Sequence, residues 1–308
     1  MFVLMVLPEI LEKISFLKSE RNAVILAHNY QMEEVQDLAD YTGDSFELSR
    51  LAADLDCEVI VFCGVDFMAE SAAILAPDKL VLLPARYAGC PMAAMVTPAA
   101  LRECKKKYPD AAVVAYINTS AEVKAEIDIC VTSANAAAVV NSLEETQVIF
   151  VPDRNLAHFV SCHTDKEIIP WPGYCITHYR ISAEDIARAR RDHPGAPVIV
   201  HPECRPDVTG IADAVLGTGG MIRFVKETEA SEIIVGTESG MVHRLYKERP
   251  DLKYHVPAPG LICPNMKYTT PELVLSSLEN MQHRIVVAPD VMEGAAEALR
   301  RMLAVPLP

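Results

Sequence analysis

The sequence has little positive charge. Its 28 Lys and Arg residues stand against 42 Asp and Glu residues, which gives a formal net charge of −14 and a pI near 5.1. Because nucleic acids and anionic membranes attract basic surfaces, this balance argues against either as a partner. It does not exclude a small anionic substrate, which responds to the local field of its pocket.

A long apolar run is also missing. The apolar start, residues 1–7, has no basic residue before it and is followed by Pro8. Such a start is typical neither of a secretory signal nor of a membrane span. Hydrophobic residues make up 51% and charged residues 23%, as in soluble globular proteins. We therefore expect a cytoplasmic protein with no membrane partner.

None of the nine cysteines forms a CxxC pair, so a zinc ribbon or a ferredoxin is not expected. Their odd number excludes a complete disulfide set within one chain. In a reducing compartment, metal binding or catalysis is the better explanation for some of them. Six lie in or beside apolar runs and helices and are predicted to be structural: Cys57, Cys63, Cys104, Cys130, Cys162 and Cys204.

Three similar loops each follow an apolar run and contain Pro and Gly before a Cys. We call them the Cys loops: Leu83–Cys90, Pro170–Cys175 and Val256–Cys263. Their cysteines are 85 and 88 residues apart, a period that indicates an internal repeat. A helix start follows each Cys seven residues later, at Thr97, Ser182 and Thr270.

Apolar runs recur with the same period. AVILAHNY, AVVAYINTS and PVIVHPEC align, and so do EVIVFCGVD, QVIFVPDR and EIIVGTES. Equivalent polar positions are held by His28, Tyr116 and His201, and then by Ser45, Ser133 and Thr218. Each unit is predicted to run strand, helix, strand, helix, strand, Cys loop and linking helix, which favours parallel sheets with crossover helices.

We therefore predict the α/β class, with three pseudo-symmetric repeated α/β domains, each a three-layer unit with a parallel sheet, around a central cavity. The predicted domains are residues 1–95, 96–181 and 182–269. Residues 270–308 are predicted to form a helix, a strand (RIVVAP) and a helix that pack on the first repeat.

Ligands of parallel α/β sheets lie beyond the carboxyl ends of the strands. If the units pack around a pseudo-threefold axis, Cys90, Cys175 and Cys263 meet at one point. Three thiolates without an obvious fourth ligand suit an iron–sulfur cluster whose open iron acts as a Lewis acid. A Cys3His zinc site that includes His178 remains the alternative.

The polar residues at the strand ends also have ordinary explanations, as buried polar groups, packing aromatics or helix N-caps. Their equivalent positions favour a site instead, in which helix-start hydroxyls bind anionic groups and Glu203 is the natural general base. The residues concerned are His28, Tyr30, Ser45, Tyr116, Asn118, Ser133, His201, Glu203 and Thr218.

Nine motifs, AHNYQ, GDS, AGCPMA, YINTS, VTSANA, PGYCITH, HPEC, GTGGM and CPNMK, together resemble the quinolinate synthase family, the A proteins of NAD biosynthesis. The resemblance runs from about residue 8 to residue 303. It implies condensation of iminoaspartate with dihydroxyacetone phosphate to quinolinate, with release of phosphate and water. It also implies a [4Fe-4S] cluster and three α/β domains around a cavity.

The resemblance also implies roles for individual residues. The cluster ligands would be Cys90, Cys175 and Cys263. The catalytic group would be His28, Tyr30, Tyr116, His201 and Glu203, and the substrate-binding group would be His28, Ser45, Tyr116, Asn118, Ser133, His178, His201, Glu203 and Thr218. An aspartate oxidase or dehydrogenase would supply iminoaspartate.

The last Cys loop departs from some family members, which carry CxxCxxC there. In CPNMKYTT only Cys263 remains, so a regulatory disulfide at this loop is not expected. Two rival functions are a cluster-dependent hydro-lyase for hydroxy acids and a non-enzymatic three-domain protein with structural zinc. Phosphate release separates the first rival from quinolinate synthesis, and a colourless zinc protein would indicate the second.

Overall fold

Three four-stranded parallel sheets, one for each repeat, make up the protein. The structure is a computed structural model that describes residues 7–305. The apolar start at residues 1–6, on which a prediction was made, lies outside the described residues. Between residues 7 and 305, no helix is long and apolar enough to cross a membrane.

The first unit contains four helices and four strands in alternation. In chain order these are α1 (Leu7–Glu20), β1 (Ala23–His28), α2 (Glu33–Leu38), β2 (Tyr41–Gly43), α3 (Ser45–Asp54), β3 (Val59–Cys63), α4 (Asp66–Leu75) and β4 (Leu80–Leu82). The strand order is β2-β1-β3-β4, and every pair is parallel. Strand β3 is buried along its whole length, as expected of a central parallel strand covered on both faces.

The second unit repeats this order. Its elements are α5 (Pro98–Lys107), β5 (Ala112–Tyr116), α6 (Ala121–Lys124), β6 (Ile129–Val131), α7 (Ala136–Ser142), β7 (Gln147–Val151), α8 (Arg154–Ser161) and β8 (Glu167–Pro170). The strands are ordered β6-β5-β7-β8, again all parallel.

The third unit has the same topology, with strand order β10-β9-β11-β12. Its elements are α9 (Ala183–Asp192), β9 (Val198–Val200), α10 (Pro206–Thr209), β10 (Ala214–Val215), α11 (Thr218–Glu227), β11 (Glu232–Gly236), α12 (Gly240–Glu248) and β12 (Lys253–His255). The predicted α/β class and its three repeated units are therefore confirmed. The exact domain boundaries stay a prediction.

Each sheet has one strand more than the sequence pattern predicts. Strands β2, β6 and β10 are only two or three residues long. Such short strands fall below the length at which alternating or continuous apolar patterns can be recognised. They are held by an aspartate that precedes each of them.

This aspartate has the same position in every unit. Its carboxylate accepts a hydrogen bond from a backbone N–H near the start of the unit's first strand: Asp40 from Ile25 at 2.8 Å, Asp128 from Val113 at 2.7 Å and Asp213 from Val198 at 2.7 Å. The bond fixes the second strand beside the first, because a buried N–H without a partner is costly.

The predicted helix starts after the Cys loops are confirmed. Thr97 and Ser182 are the N-caps of α5 and α9, and Thr270 is the N-cap of the helix that begins at Pro271. Each side chain accepts a hydrogen bond from the backbone N–H three residues later. Each of these caps satisfies one of the N–H groups that a helix start leaves unpaired.

The C-terminal segment differs from its prediction. It contains α13 (Pro271–Asn280) and α14 (Pro289–Ala304), but RIVVAP is not a strand. Arg284 makes a single antiparallel bridge to Leu82, and Val286 is 79% exposed. Helix α13 packs on α1 of the first unit, as predicted, whereas α14 crosses α4 and α6 and so also packs on the second unit.

We expect Asp128→Ala to lower the free energy of unfolding by about 1–2 kcal/mol, because the Val113 N–H loses its acceptor. Asp128→Asn should lose less, since its amide oxygen can still accept the bond. Urea unfolding measures both, with the exposed Asp110→Ala as the matched control. Equal losses in all three variants would contradict the role given to Asp128.

Candidate active site

The carboxyl ends of the three sheets meet at one cavity of about 80 Å³. This volume is enough for several water-sized groups. All predicted site residues line it: His28, Tyr30, Ser45, Cys90, Tyr116, Asn118, Ser133, Cys175, His178, His201, Glu203, Thr218 and Cys263. The structure therefore brings together every residue that the sequence proposed for the site, while their individual roles stay predictions.

A carboxylate at the end of the third strand of each unit holds the following Cys loop. Its oxygen accepts the backbone N–H of the cysteine: Asp66 from Cys90 at 3.2 Å, Asp153 from Cys175 at 2.9 Å and Glu238 from Cys263 at 3.1 Å. The backbone of each of the three cysteines is thus held by one contact that is repeated in each unit.

The sequence analysis did not identify these three acidic residues. They close the third set of aligned runs, at VFCGVD, IFVPD and VGTE, and they are 87 and 85 residues apart. Their shared position in the repeat was the available signal. A carboxylate directly after a buried parallel strand lies on the functional edge of the sheet.

Glycine is required in two of the Cys loops for different reasons. A Cβ on Gly173 would lie 2.4 Å from the carbonyl oxygen of Pro152, so only glycine allows the loop to approach the end of β7. Gly260 has φ +74°, in the left-handed region that glycine adopts without strain.

Residues in the Cys loops and just after them also contact one another. The Asn265 side chain donates a hydrogen bond to the carbonyl of Gly89, and the Trp171 indole donates to the carbonyl of Met95 at 2.8 Å. These contacts join the third unit to the first and the second to the first. The positions of the cysteines are therefore set between units as well as within each of them.

The donor set fits a group larger than a single ion. Within residues 7–305, the three loop thiols are not among the donor groups whose atoms all lie within 4.8 Å of one another. A tetrahedral zinc ion with 2.3 Å bonds requires sulfur–sulfur distances of about 3.8 Å. A [4Fe-4S] cluster spreads its three cysteine ligands over different irons, and the three thiols at the walls of one cavity fit that arrangement.

Burial dominates the electrostatics of the thiols. It raises the pKa of Cys90 to about 12 and raises the pKa values of Cys175 and Cys263 as well. The charge of Glu203 adds to the effect at Cys90 and Cys175. These thiols are neutral without a metal, so metal binding must displace their protons.

His28 and His201 have matching tautomers. Nδ1 of His28 accepts the N–H of Tyr30 at 3.1 Å, and Nδ1 of His201 accepts the N–H of Glu203 at 3.3 Å. Each neutral ring therefore carries its proton on Nε2. Burial lowers the pKa of each histidine to about 3, so both rings are neutral hydrogen-bond donors at neutral pH.

Glu203 is the buried carboxylate of the cavity, and its side chain is 4% exposed. Burial alone would raise its pKa, but His178, His201 and a hydrogen bond from Tyr116 lower it to about 2. Nδ1 of His178 lies 2.7 Å from the carboxylate of Glu203 and 3.2 Å from the sulfur of Cys175.

A continuous hydrogen-bonded path crosses the cavity wall. The hydroxyl of Tyr30 lies 2.7 Å from Oγ1 of Thr237, which lies 2.8 Å from Nε2 of His178. His178 bonds Glu203, and Glu203 accepts from Tyr116. Burial and the charge of Glu203 raise the pKa values of Tyr30 and Tyr116, so both phenols keep their protons.

The hydroxyls of the second repeated set are free of capping duty. Ser45 and Thr218 are the first residues of α3 and α11, and Asp44 caps α3 by accepting from two backbone N–H groups. Ser133 packs against Gly217, because a Cβ added to Gly217 would lie 2.7 Å from Oγ of Ser133. The alternative that these residues are ordinary N-caps is therefore wrong, and the starts of α3 and α11 meet with Ser133 at the cavity.

The amide oxygen of Asn118 is buried in the cavity wall without a hydrogen-bond partner. A buried acceptor of this kind needs a partner, which a bound ligand or water can supply. Asn118 is therefore placed to bind a hydrogen-bond donor in the cavity.

The six other cysteines line no part of this cavity. Cys57, Cys63, Cys130 and Cys204 are buried, in agreement with a structural role, and Cys104 is half-buried. Cys162 is exposed on the last turn of the second unit's helix α8, so it is not the buried residue that its apolar neighbours suggested.

Comparison with known proteins gives a consistent result. The family model described as "Quinolinate synthetase A protein" matches residues 12–304. The quinolinate synthases of Methanoregula boonei and Dehalococcoides mccartyi are each 55% identical to this chain over 293 residues, which cover 95% of the chain and 97% of the relative. That of Methanosarcina barkeri is 54% identical over 297 residues, covering 96% of the chain and 98% of the relative.

The carboxylate that holds each Cys loop can be tested without a bound cofactor. In protein freed of metal, Asp66→Ala should speed alkylation of Cys90 by about 5- to 30-fold, the change that a loss of 1–2 kcal/mol produces in a local opening equilibrium. Mass spectrometry measures the rate at each cysteine. Cys175, held by Asp153, is the internal control, and an equal rise at both cysteines would contradict a local role.

Proposed function

This chain belongs to the quinolinate synthetase A protein family, and we propose that it condenses iminoaspartate with dihydroxyacetone phosphate to form quinolinate, with release of phosphate and water, as a step of NAD biosynthesis. The observation that carries this proposal is the single cavity to which all three units contribute a strand-end ring, a hydroxyl and a cysteine. A cytoplasmic location remains a prediction of the sequence.

We propose that Cys90, Cys175 and Cys263 hold a [4Fe-4S] cluster. When bound, such a cluster supplies Lewis-acid chemistry at the iron that has no protein ligand. The three sulfur atoms are not among the donor groups of residues 7–305 whose atoms all lie within 4.8 Å of one another, which supports this assignment over a single zinc ion. The protein's own contribution is to fix the backbone of the three loops through Asp66, Asp153 and Glu238.

The neutral donors of the cavity are assigned to the anionic groups of the substrates. Iminoaspartate carries two carboxylates and dihydroxyacetone phosphate carries a phosphate. His28 and His201 each offer an Nε2–H that does not lose its proton at neutral pH. Two such donors fix a carboxylate without taking part in proton transfer, so we assign both histidines to binding and orientation.

The helix starts are assigned to the phosphate or to the second carboxylate. Ser45 and Thr218 begin α3 and α11, where unpaired N–H groups and the helix dipole attract negative charge. Ser133 adds a hydroxyl from the second unit, and Asn118 adds an acceptor. A substrate pair with several anionic groups matches this set of donors.

Proton transfer is assigned to the path from Tyr30 to Tyr116. Glu203 is ionised, but a carboxylate with a pKa of about 2 is by itself a weak base. His178 donates its Nδ1–H to this carboxylate, which leaves Nε2 of His178 as a second position for an accepted proton. We therefore assign the Glu203–His178 pair, rather than Glu203 alone, as the base for the tautomerisation and dehydration steps.

The two phenols complete this path at its ends. Tyr30 and Tyr116 are protonated and buried, so each can donate a proton to a departing group and recover it from Glu203 or from Thr237 and His178. The enclosed cavity keeps bulk water from the imine and triose groups, which are sensitive to hydrolysis.

Removal of a cysteine tests the cluster. After anaerobic reconstitution, we expect about four iron and four sulfide per chain in the wild type. Cys175→Ala should lose the iron, the sulfide and quinolinate formation. Cys162→Ala is the matched control, since Cys162 is exposed and outside the cavity, and it should keep both. Stoichiometric zinc and no visible chromophore in the wild type would contradict the cluster.

Removal of the negative charge tests the base. Glu203→Gln should reduce kcat by about 10²- to 10⁴-fold, the usual contribution of a positioned acid or base, while the fold and the iron content are preserved. Quinolinate and phosphate are measured together. Turnover near the wild-type value would exclude Glu203 from proton transfer, and product formation without phosphate release would point to a hydro-lyase instead.

A further inference from the structure

A second group of potential metal ligands lies in the third unit, in an open cleft of about 710 Å³. This cleft shares no lining residue with the cavity described above. It contains His193, Glu232 and His255, whose donor atoms all lie within 4.8 Å of one another. We propose that these three residues form a binding site for a divalent zinc-type ion.

Three different elements bring the donors together. His193 is the C-cap residue of α9, Glu232 begins β11 and His255 ends β12. Ile234 is paired with His255 in the parallel register, and residues two apart on a strand share a face, so Glu232 and His255 lie on the same side of the sheet. Ile234 belongs to the same buried core cluster as Ile186 and Ala189 of α9, which indicates that α9 covers this side.

The second unit has other side chains at the three equivalent positions. The residues equivalent to His193, Glu232 and His255 are Tyr108, Gln147 and Ile169. Tyr108 and Ile169 pack against an apolar cluster of the second unit. In the first unit, Val59 and Leu82 take the two strand positions and are buried. Only in the third unit, among the described residues, does this frame carry three metal-binding side chains.

The distances suit coordination by one ion. Oε2 of Glu232 lies 3.0 Å from Nε2 of His255 and 3.5 Å from Nδ1 of His193. A tetrahedral zinc ion with bonds of 2.0–2.1 Å separates its ligand atoms by about 3.3 Å, which these two distances bracket. The imidazole rings are stacked with centroids 3.4 Å apart, so both rings must rotate about their side-chain bonds before their nitrogens can bind the same ion.

The remaining contacts of the site also fit. Oε1 of Glu232 accepts a hydrogen bond from Lys253 at 2.9 Å, which leaves Oε2 for the ion and fixes the carboxylate, as outer partners of metal ligands do. The three side chains are 23–30% exposed, so a fourth position opens to water in the cleft. Two histidines and a carboxylate with one open position are an established ligand set for zinc.

Binding there would connect the end of α9 to the edge strand β12. The ion would brace the edge of the third sheet without contacting the cavity. This inference does not depend on the proposed reaction, and its failure would leave quinolinate formation unaffected.

The test uses the residues of the second unit as replacements. The triple variant His193→Tyr, Glu232→Gln, His255→Ile is compared with the wild type, both cluster-loaded and anaerobic, by isothermal titration with Zn²⁺. We expect about one zinc ion per wild-type chain and affinity weaker by more than about 100-fold in the variant, beyond what loss of an outer partner costs. Iron content and quinolinate formation should be equal in both proteins.

A second measurement tests the proposal if the triple variant folds poorly. Zn²⁺ should raise the Tm of the wild type, because a ligand that binds only the folded state stabilises it, and should not raise that of the single variant His255→Gln. Zinc binding of equal strength in the wild type and in either variant would overturn the proposal. A cluster-loaded wild-type protein that binds no zinc would also overturn it.

Discussion

One hydrogen bond, repeated three times, determines how the cavity is built. A carboxylate at the end of each third strand accepts the backbone N–H of a cysteine in the next Cys loop. The strand end is rigid because β3, β7 and β11 are the buried central strands of their sheets. The carboxylate transfers that rigidity to the Cys loop. Pseudo-threefold packing then turns three equivalent loops into three walls of one site.

Burial sets the charge of the groups around this cavity. It raises the pKa values of the cysteines and tyrosines and lowers those of His28 and His201, so each of these groups is neutral. Glu203 keeps its charge because hydrogen bonds from His178 and Tyr116 offset its desolvation. The buried negative charge of Glu203 amid neutral donors gives a site that binds anions through hydrogen bonds and moves protons along one path.

The repeat supplies a frame, and differences between the copies supply chemistry. The same strand-end position carries His28, Tyr116 and His201, which gives two imidazole donors and one phenol. At the opposite corner of the frame, Tyr108 and Ile169 pack in the second unit where the third unit has His193 and His255. Comparison between units therefore serves as an internal control for which side chains the fold itself requires.

The sequence by itself determined the repeat, the α/β class and many of the residues that line the cavity. It could do so because a fixed period of apolar runs requires the same topology in each copy, and parallel strands place the residues after them at one edge. It did not predict that each unit has a fourth strand, or the irregular path of residues 284–288. Only the tertiary structure decided which carboxylate holds each Cys loop, which nitrogen of His28 and His201 carries the proton, and that Glu203 stays ionised. These properties depend on distances and burial between residues far apart in the chain, and no local pattern of residues encodes them.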